Sequence, residues 1–304
     1  MCKLAAVVNL EKQHRTALSY QQKQQVAKTL RHLFYINSYG QTDGSGVMGL
    51  DHDGMYFYHK RAIPSPDFLS TKTVKEFMGN LDDFKFAAFH TRFGTVGGNS
   101  DANSHPFEHG NTLLMQNGTV DTFCDTDKLV DGEVNPCTVD SDAVAWAIEQ
   151  QGVDKTMERY VGAGVFMWFD LAEREFNIVK NDERNLNMLK VKGKEVYIFG
   201  TDYHAVALAA TRSGLSYDWI KPVKDDTLHT FTLECEYKHR PLTVESWAYG
   251  TGFVGSSYPR KTTTPPSNKV AGGGLGKHKG NPYQTPPRVS GQSSAKNKGL
   301  LKVV

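Results

Sequence analysis

The feature that most limits what this chain can fold into is a succession of apolar runs five to eight residues long, separated by turn-forming residues. They cover residues 4–10 (LAAVVNL), 46–50, 55–60, 84–90, 112–116, 164–171, 175–180, 195–200 and 228–234. Runs this short suit strands, because a buried helix needs roughly ten residues or more. Asp53-Gly54 between the second and third runs predicts a hairpin. Helical periodicity is confined to three places. From Ser19, with Gln22 placed as a capping-box partner, Val26, Leu30, Leu33 and Phe34 share one face. From Ser141, Val144, Ala145 and Ile148 do the same, and Gly152 marks the expected stop. A third helix is expected at about 202–211, after the strand that ends at Gly200. Many strands with a few separate helices, and no internal repeat, imply an α+β architecture of layered sheets.

The composition changes sharply near residue 251. Residues 251–304 hold nine Lys or Arg, no Asp or Glu, and six of the twelve prolines. The first 250 residues keep 26 of the 35 basic side chains against all 33 acidic ones, so an acidic body precedes a basic tail. The chain therefore reads as a domain over 2–250 and a Gly/Pro-rich tail over 251–304 that buries too little apolar surface to offset its ordering entropy and is expected to be disordered. The tail's charge would suit loose binding of nucleic acid or an acidic protein, but Phe253, Tyr258 and Tyr283 supply little stacking surface, so a nucleic-acid partner is a weak expectation. No apolar run is long enough to span a membrane and no basic-then-apolar leader opens the sequence, which implies a cytoplasmic protein. Cys2, Cys124, Cys137 and Cys235 form no CxxC pair or metal-ligand spacing, which fits a reducing compartment.

Cys2 directly follows the initiator methionine. Loss of Met1 would leave a thiol and a free α-amine on one residue, a known way to generate a nucleophile near neutral pH. The densest group of polar residues lies in 89–123. Arg92 follows an apolar strand and reads either as a clamp for a substrate carboxylate or as a surface salt bridge; Thr95 would join the clamp or stabilise a turn. Asn117-Gly118 reads as a type I′ turn, as an oxyanion hole, or as both. Asp142, in the first turn of the helix opened by Ser141, either complements the helix dipole or pairs with a substrate ammonium. His90, His105 and His109 invite a metal, but no acidic or cysteine partner stands at ligand spacing, so no metal and no cofactor is expected.

In order, Cys2, YGQTDGSG (39–46), HTRFGT (90–95), NSHPF (103–107), QNGTV (116–120) and SDAV (141–144) resemble the motifs of the class II glutamine amidotransferase domain, an N-terminal nucleophile hydrolase. The resemblance covers roughly residues 2–235. Three departures stand out: the 39–46 loop lacks the family's leading Arg, Gln116 replaces a His, and Val96 stands where many members have His.

The resemblance implies a four-layer αββα sandwich with Cys2 at the end of the first strand. It implies that Cys2 attacks the side-chain amide of glutamine, that Asn117 and Gly118 hold the oxyanion, and that Arg92 with Thr95 binds the α-carboxylate. Asp142 would take the α-ammonium. The thioester would yield glutamate, and the ammonia would pass to an acceptor on a separate synthetase subunit. Two other readings remain: a non-catalytic protein of the same fold that binds a partner through its tail, and an N-terminal-cysteine hydrolase of another amide.

Overall fold

The computed structural model describes residues 2–12, 18–94, 98–120, 129–130, 132–133 and 135–242. The basic tail lies outside them. The first sheet has seven antiparallel strands, with β1 (Lys3–Asn9) near its middle and β4 (Phe84–Arg92) and β10 (Val196–Gly200) on either side of it. β2 (Gly44–Asp51) and β3 (Tyr56–Arg61) extend the sheet beyond β4, and β9 (Asn187–Val191) and β11 (Tyr217–Pro222) extend it beyond β10. The second sheet is a six-stranded antiparallel array in the order β13 (Tyr237–Pro241), β12 (Thr227–Thr232), β8 (Glu175–Lys180), β7 (Gly162–Asp170), β6 (Thr112–Val120), β5 (Phe107–His109).

Side chains of alternate residues point to opposite faces of a strand. In β1, Ala5 and Val7 join one core with Leu30, Leu33 and Phe34, while Leu4, Ala6 and Val8 join another with Leu113, Met115 and Met167 of the second sheet. The other face of that sheet carries Leu114, Phe166 and Trp168, which pack on Val144, Ala147 and Ile148. Three apolar layers therefore separate helices, sheet, sheet and helix, which is the αββα sandwich that the resemblance implied. Strands buried on both faces must be apolar at almost every position, which explains the unbroken runs.

The outer helices are α1 (Tyr20–Asn37), α2 (Ser65–Ser70), α3 (Lys72–Gly79) and α5 (Tyr203–Ser213) on the first sheet and α4 (Asp140–Arg159) on the second. The Ser19 capping box forms as expected, with Ser19 Oγ accepting from the Gln22 N–H and Gln22 Oε1 from the Ser19 N–H. The hairpin at Asp53-Gly54 also forms, Gly54 taking φ 84° while Asp51 Oδ1 accepts from the N–H groups of Asp53 and Met55. Two details differ from expectation. α4 begins at Asp140 and is broken rather than ended at Gly152, whose φ of 82° interrupts the helix before it resumes to Arg159. Asn117-Gly118 is not a turn: β6 continues to Val120, with Asn117 opposite Val165 and Gly118 opposite Gly164.

Candidate active site

The strand period places several of the singled-out residues on one face. Cys2 continues the series Leu4, Ala6, Val8; His90 and Arg92 continue Phe86 and Ala88; Asn117 continues Leu113 and Met115. All of these series face the space between the sheets. Because Lys3 lies opposite Thr91, Cys2 comes beside the Arg92 end of β4, and the Phe93 N–H points at Cys2 Sγ (3.4 Å). Burial pushes the Cys2 thiol pKa up, while the Phe93 N–H and the Arg92 charge pull it back.

Arg92 is only 3% exposed, which rules out a surface salt bridge. Its guanidinium lies against Gly94, where an added Cβ would stand 3.1 Å from Nη1. The 39–46 loop supports this segment: the Asp43 N–H donates to the Arg92 carbonyl (3.2 Å), and Asp43 Oδ2 accepts from the Gly94 N–H (2.7 Å). Thr95 and Val96 lie outside the described residues.

On the facing sheet, β5 covers the edge of β6 only as far as Leu114. Alternate residues turn their main-chain groups to the same edge. Beyond Leu114 that edge offers the Gln116 carbonyl, which accepts from His90 Nε2 (2.9 Å), and the Val120 N–H, which donates to Asp140 Oδ2 (3.1 Å). The Gly118 N–H lies between them on the same uncovered edge. Glycine is required here because a Cβ would come within 2.0 Å of the Ala163 carbonyl oxygen. Asn117 is buried and its Oδ1 has no hydrogen-bond partner among the described residues. Gln116 turns its side chain to the helix layer, where Nε2 donates to Tyr160 Oη (3.2 Å), so the departure at 116 is directed away from Cys2.

The two acids at the start of α4 differ. Asp140 accepts from Val120 and Ser141 N–H groups, and its charge is felt by Cys2 and acts together with that of Arg92; burial raises its pKa against these stabilising contacts. Asp142 instead accepts a 2.8 Å hydrogen bond from His109 Nε2. The charge of Asp140 is thus felt by Cys2, whereas Asp142 is hydrogen-bonded to His109.

Beneath the site, the rings of His90 and His105 pack at a tilt of 39° with centroids 3.8 Å apart. Both are buried, which lowers the pKa of His90 to about 3 and that of His105 well below its usual value. They are neutral structural groups, with His90 bridging β4 to β6.

No family model matches the sequence and no curated protein does. Solved structures do. "Structure of the allosteric regulatory enzyme of purine biosynthesis" aligns with a TM-score of 0.54 at 17% identity, covering 80% of this chain and 49% of that one. Glutamine phosphoribosylpyrophosphate amidotransferase from B. subtilis, complexed with ADP and GMP, aligns with a TM-score of 0.52 at 15% identity and the same coverages, 80% and 49%. This chain spans about half the length of each. The αββα fold is therefore shared with the aligned halves of these two structures, one of them a glutamine phosphoribosylpyrophosphate amidotransferase.

Proposed function

We propose that this chain hydrolyses the side-chain amide of glutamine through Cys2 and supplies the ammonia to an acceptor on a separate synthetase subunit. The observation that carries the proposal is the convergence, at one end of the inter-sheet space, of Cys2, buried Arg92, Asp140 and the uncovered Gly118 edge of β6. A free amino acid is a zwitterion, and a site that selects it needs one cation and one anion beside the nucleophile. Arg92 is the cation for the α-carboxylate, a role its planar fork suits, with Thr95 as a further donor. Asp140 is the anion for the α-ammonium, in place of Asp142.

The chemistry begins with removal of Met1, which frees the α-amine of Cys2. That amine takes the thiol proton directly or through water, and the thiolate attacks the amide carbon. Negative charge forms on the amide oxygen, where Asn117 Nδ2 and the Gly118 N–H receive it. Collapse breaks the C–N bond, the captured proton leaves with ammonia, and water cleaves the γ-glutamyl thioester to release glutamate. The likeness in fold to a glutamine phosphoribosylpyrophosphate amidotransferase supports the glutamine reading. An amide lacking a zwitterionic end would have no use for both Arg92 and Asp140.

The test is an intact mass for Met1 loss followed by glutamate release from glutamine, with Cys2→Ala as control. Release that disappears in the variant is the expected result. A processed, folded protein that releases no glutamate with or without candidate acceptor subunits overturns the proposal.

A further inference from the structure

A second cluster lies on the helix side of the second sheet. His109 ends β5, Asp142 lies in the first turn of α4, and Cys137 sits in the segment leading to that helix. Their ligand atoms, Nε2, Oδ1 and Sγ, all lie within 4.8 Å of one another. His109 Nε2 is 2.8 Å from Asp142 Oδ1 and 3.8 Å from Cys137 Sγ. We propose that His109, Cys137 and Asp142 form a binding site for a single zinc-like divalent ion.

The geometry separates this reading from a nucleophile–base relay. A relay uses both ring nitrogens, one toward the thiol and the other toward the carboxylate. Here thiol and carboxylate both address Nε2, so three donor atoms converge on one point. Zinc bonds of about 2.0–2.1 Å to nitrogen, 2.3 Å to sulfur and 2.0–2.2 Å to oxygen place such ligand atoms roughly 3–4 Å apart around a tetrahedral ion. The His–Asp hydrogen bond opens slightly to admit the ion, and Cys137 gives its thiol proton to solvent. Mixed nitrogen, sulfur and oxygen donors favour zinc over calcium or magnesium. The side chains of His109 and Asp142 are 26% exposed, which leaves the fourth position to water. Lys60, whose charge reaches Asp142, spends its Nζ on the carbonyls of Ala102 and Pro106 (3.1 and 2.9 Å). Glu108 is held by the hydroxyls of Tyr56 and Tyr58. Neither occupies the point of convergence. The ion would staple β5 to the start of α4, two residues from Asp140.

The experiment is titration of metal-free full-length protein with Co2+ and then Zn2+, reading the thiolate-to-cobalt absorption band, with thermal unfolding measured in parallel. Expected are one Co2+ per chain, displacement by Zn2+, and a higher unfolding midpoint with Zn2+. Cys137→Ser and His109→Ala should each remove the band and weaken Zn2+ binding by more than the roughly tenfold loss typical of outer-shell changes, while Cys2→Ala and Cys235→Ser retain it. Circular dichroism of each variant establishes that it is folded, and Asp142→Asn is a milder third variant for the same titration. Absence of stoichiometric binding, or a band that survives Cys137→Ser or is lost with Cys2→Ala, overturns the proposal. The readouts do not require glutamine turnover, so failure of the glutaminase reading and failure of this one are distinguishable.

Discussion

Cys2 and Cys137 are both partly buried thiols, yet their surroundings are opposed. Cys2 ends a strand between the sheets, where burial raises its pKa but the Phe93 N–H and the Arg92 charge partly offset that rise. Cys137 lies on the outer layer beside a carboxylate, and burial together with Asp142 pushes its pKa up to about 12. Without a metal it is a poor nucleophile at neutral pH. The difference shows that residue type decides little about cysteine chemistry, whereas the sign of the nearest fixed charges decides a great deal.

The contrast can be broken most severely at the nucleophile. Cys2→Ala should reduce glutamate release to background, where loss of about 10⁶-fold is the scale seen when an enzyme loses its nucleophile; a residual rate above background would transfer that role elsewhere. Asn117→Ala should lower kcat about 10²–10³-fold, the usual cost of one oxyanion donor, with KM nearly unchanged. A change confined to KM would instead give Asn117 a ground-state binding role.

Gly118→Ala tests the same edge through stability. Its Cβ would meet main-chain oxygen at 2.0 Å, so the strand must shift, and a loss of about 1–3 kcal/mol in urea unfolding is expected. Acid tests the histidine layer under the site. His90 titrates at about 3 when folded and near 6.5 when unfolded, so below pH 6.5 the unfolded chain binds a proton that the folded one refuses. Stability should therefore fall as pH drops from about 6.5 toward 3, by up to about 1.4 kcal/mol per pH unit for each such histidine. A flat urea midpoint between pH 7 and 5 would show that these rings are not held neutral. The smallest effect is in labelling: iodoacetamide should modify Cys2 before Cys137 at pH 7, as read by peptide mass, and the reverse order would sink the comparison.

Strands with apolar residues on both faces were legible because burial on both sides leaves a continuous run. β9, β11 and β13 were not legible. Their sequences NMLKV, YDWIKP and YKHRP are half polar, and β11 and β13 lie at sheet edges where the exposed face needs no apolar residue. Pairing with a neighbour, not propensity, makes them strands. The turn expected at Asn117-Gly118 failed for a related reason: the local signal for a turn was overridden by nine residues of pairing between β6 and β7.

By itself the sequence determined the alternation of buried strands, the capped first helix and the hairpin at Asp53-Gly54, while the four-layer sandwich was implied by the family resemblance of its motifs. The first three depend on short-range periodicity and caps, whose physics acts within a few residues. Only the tertiary structure decided that Asp140 caps Val120 and feels the charge of Arg92, and that His109 meets Cys137 and Asp142 across 28 and 33 positions of chain. A carboxylate's partner depends on which way a helix start faces after packing, and a one-residue step on a helix turns that direction by about 100°.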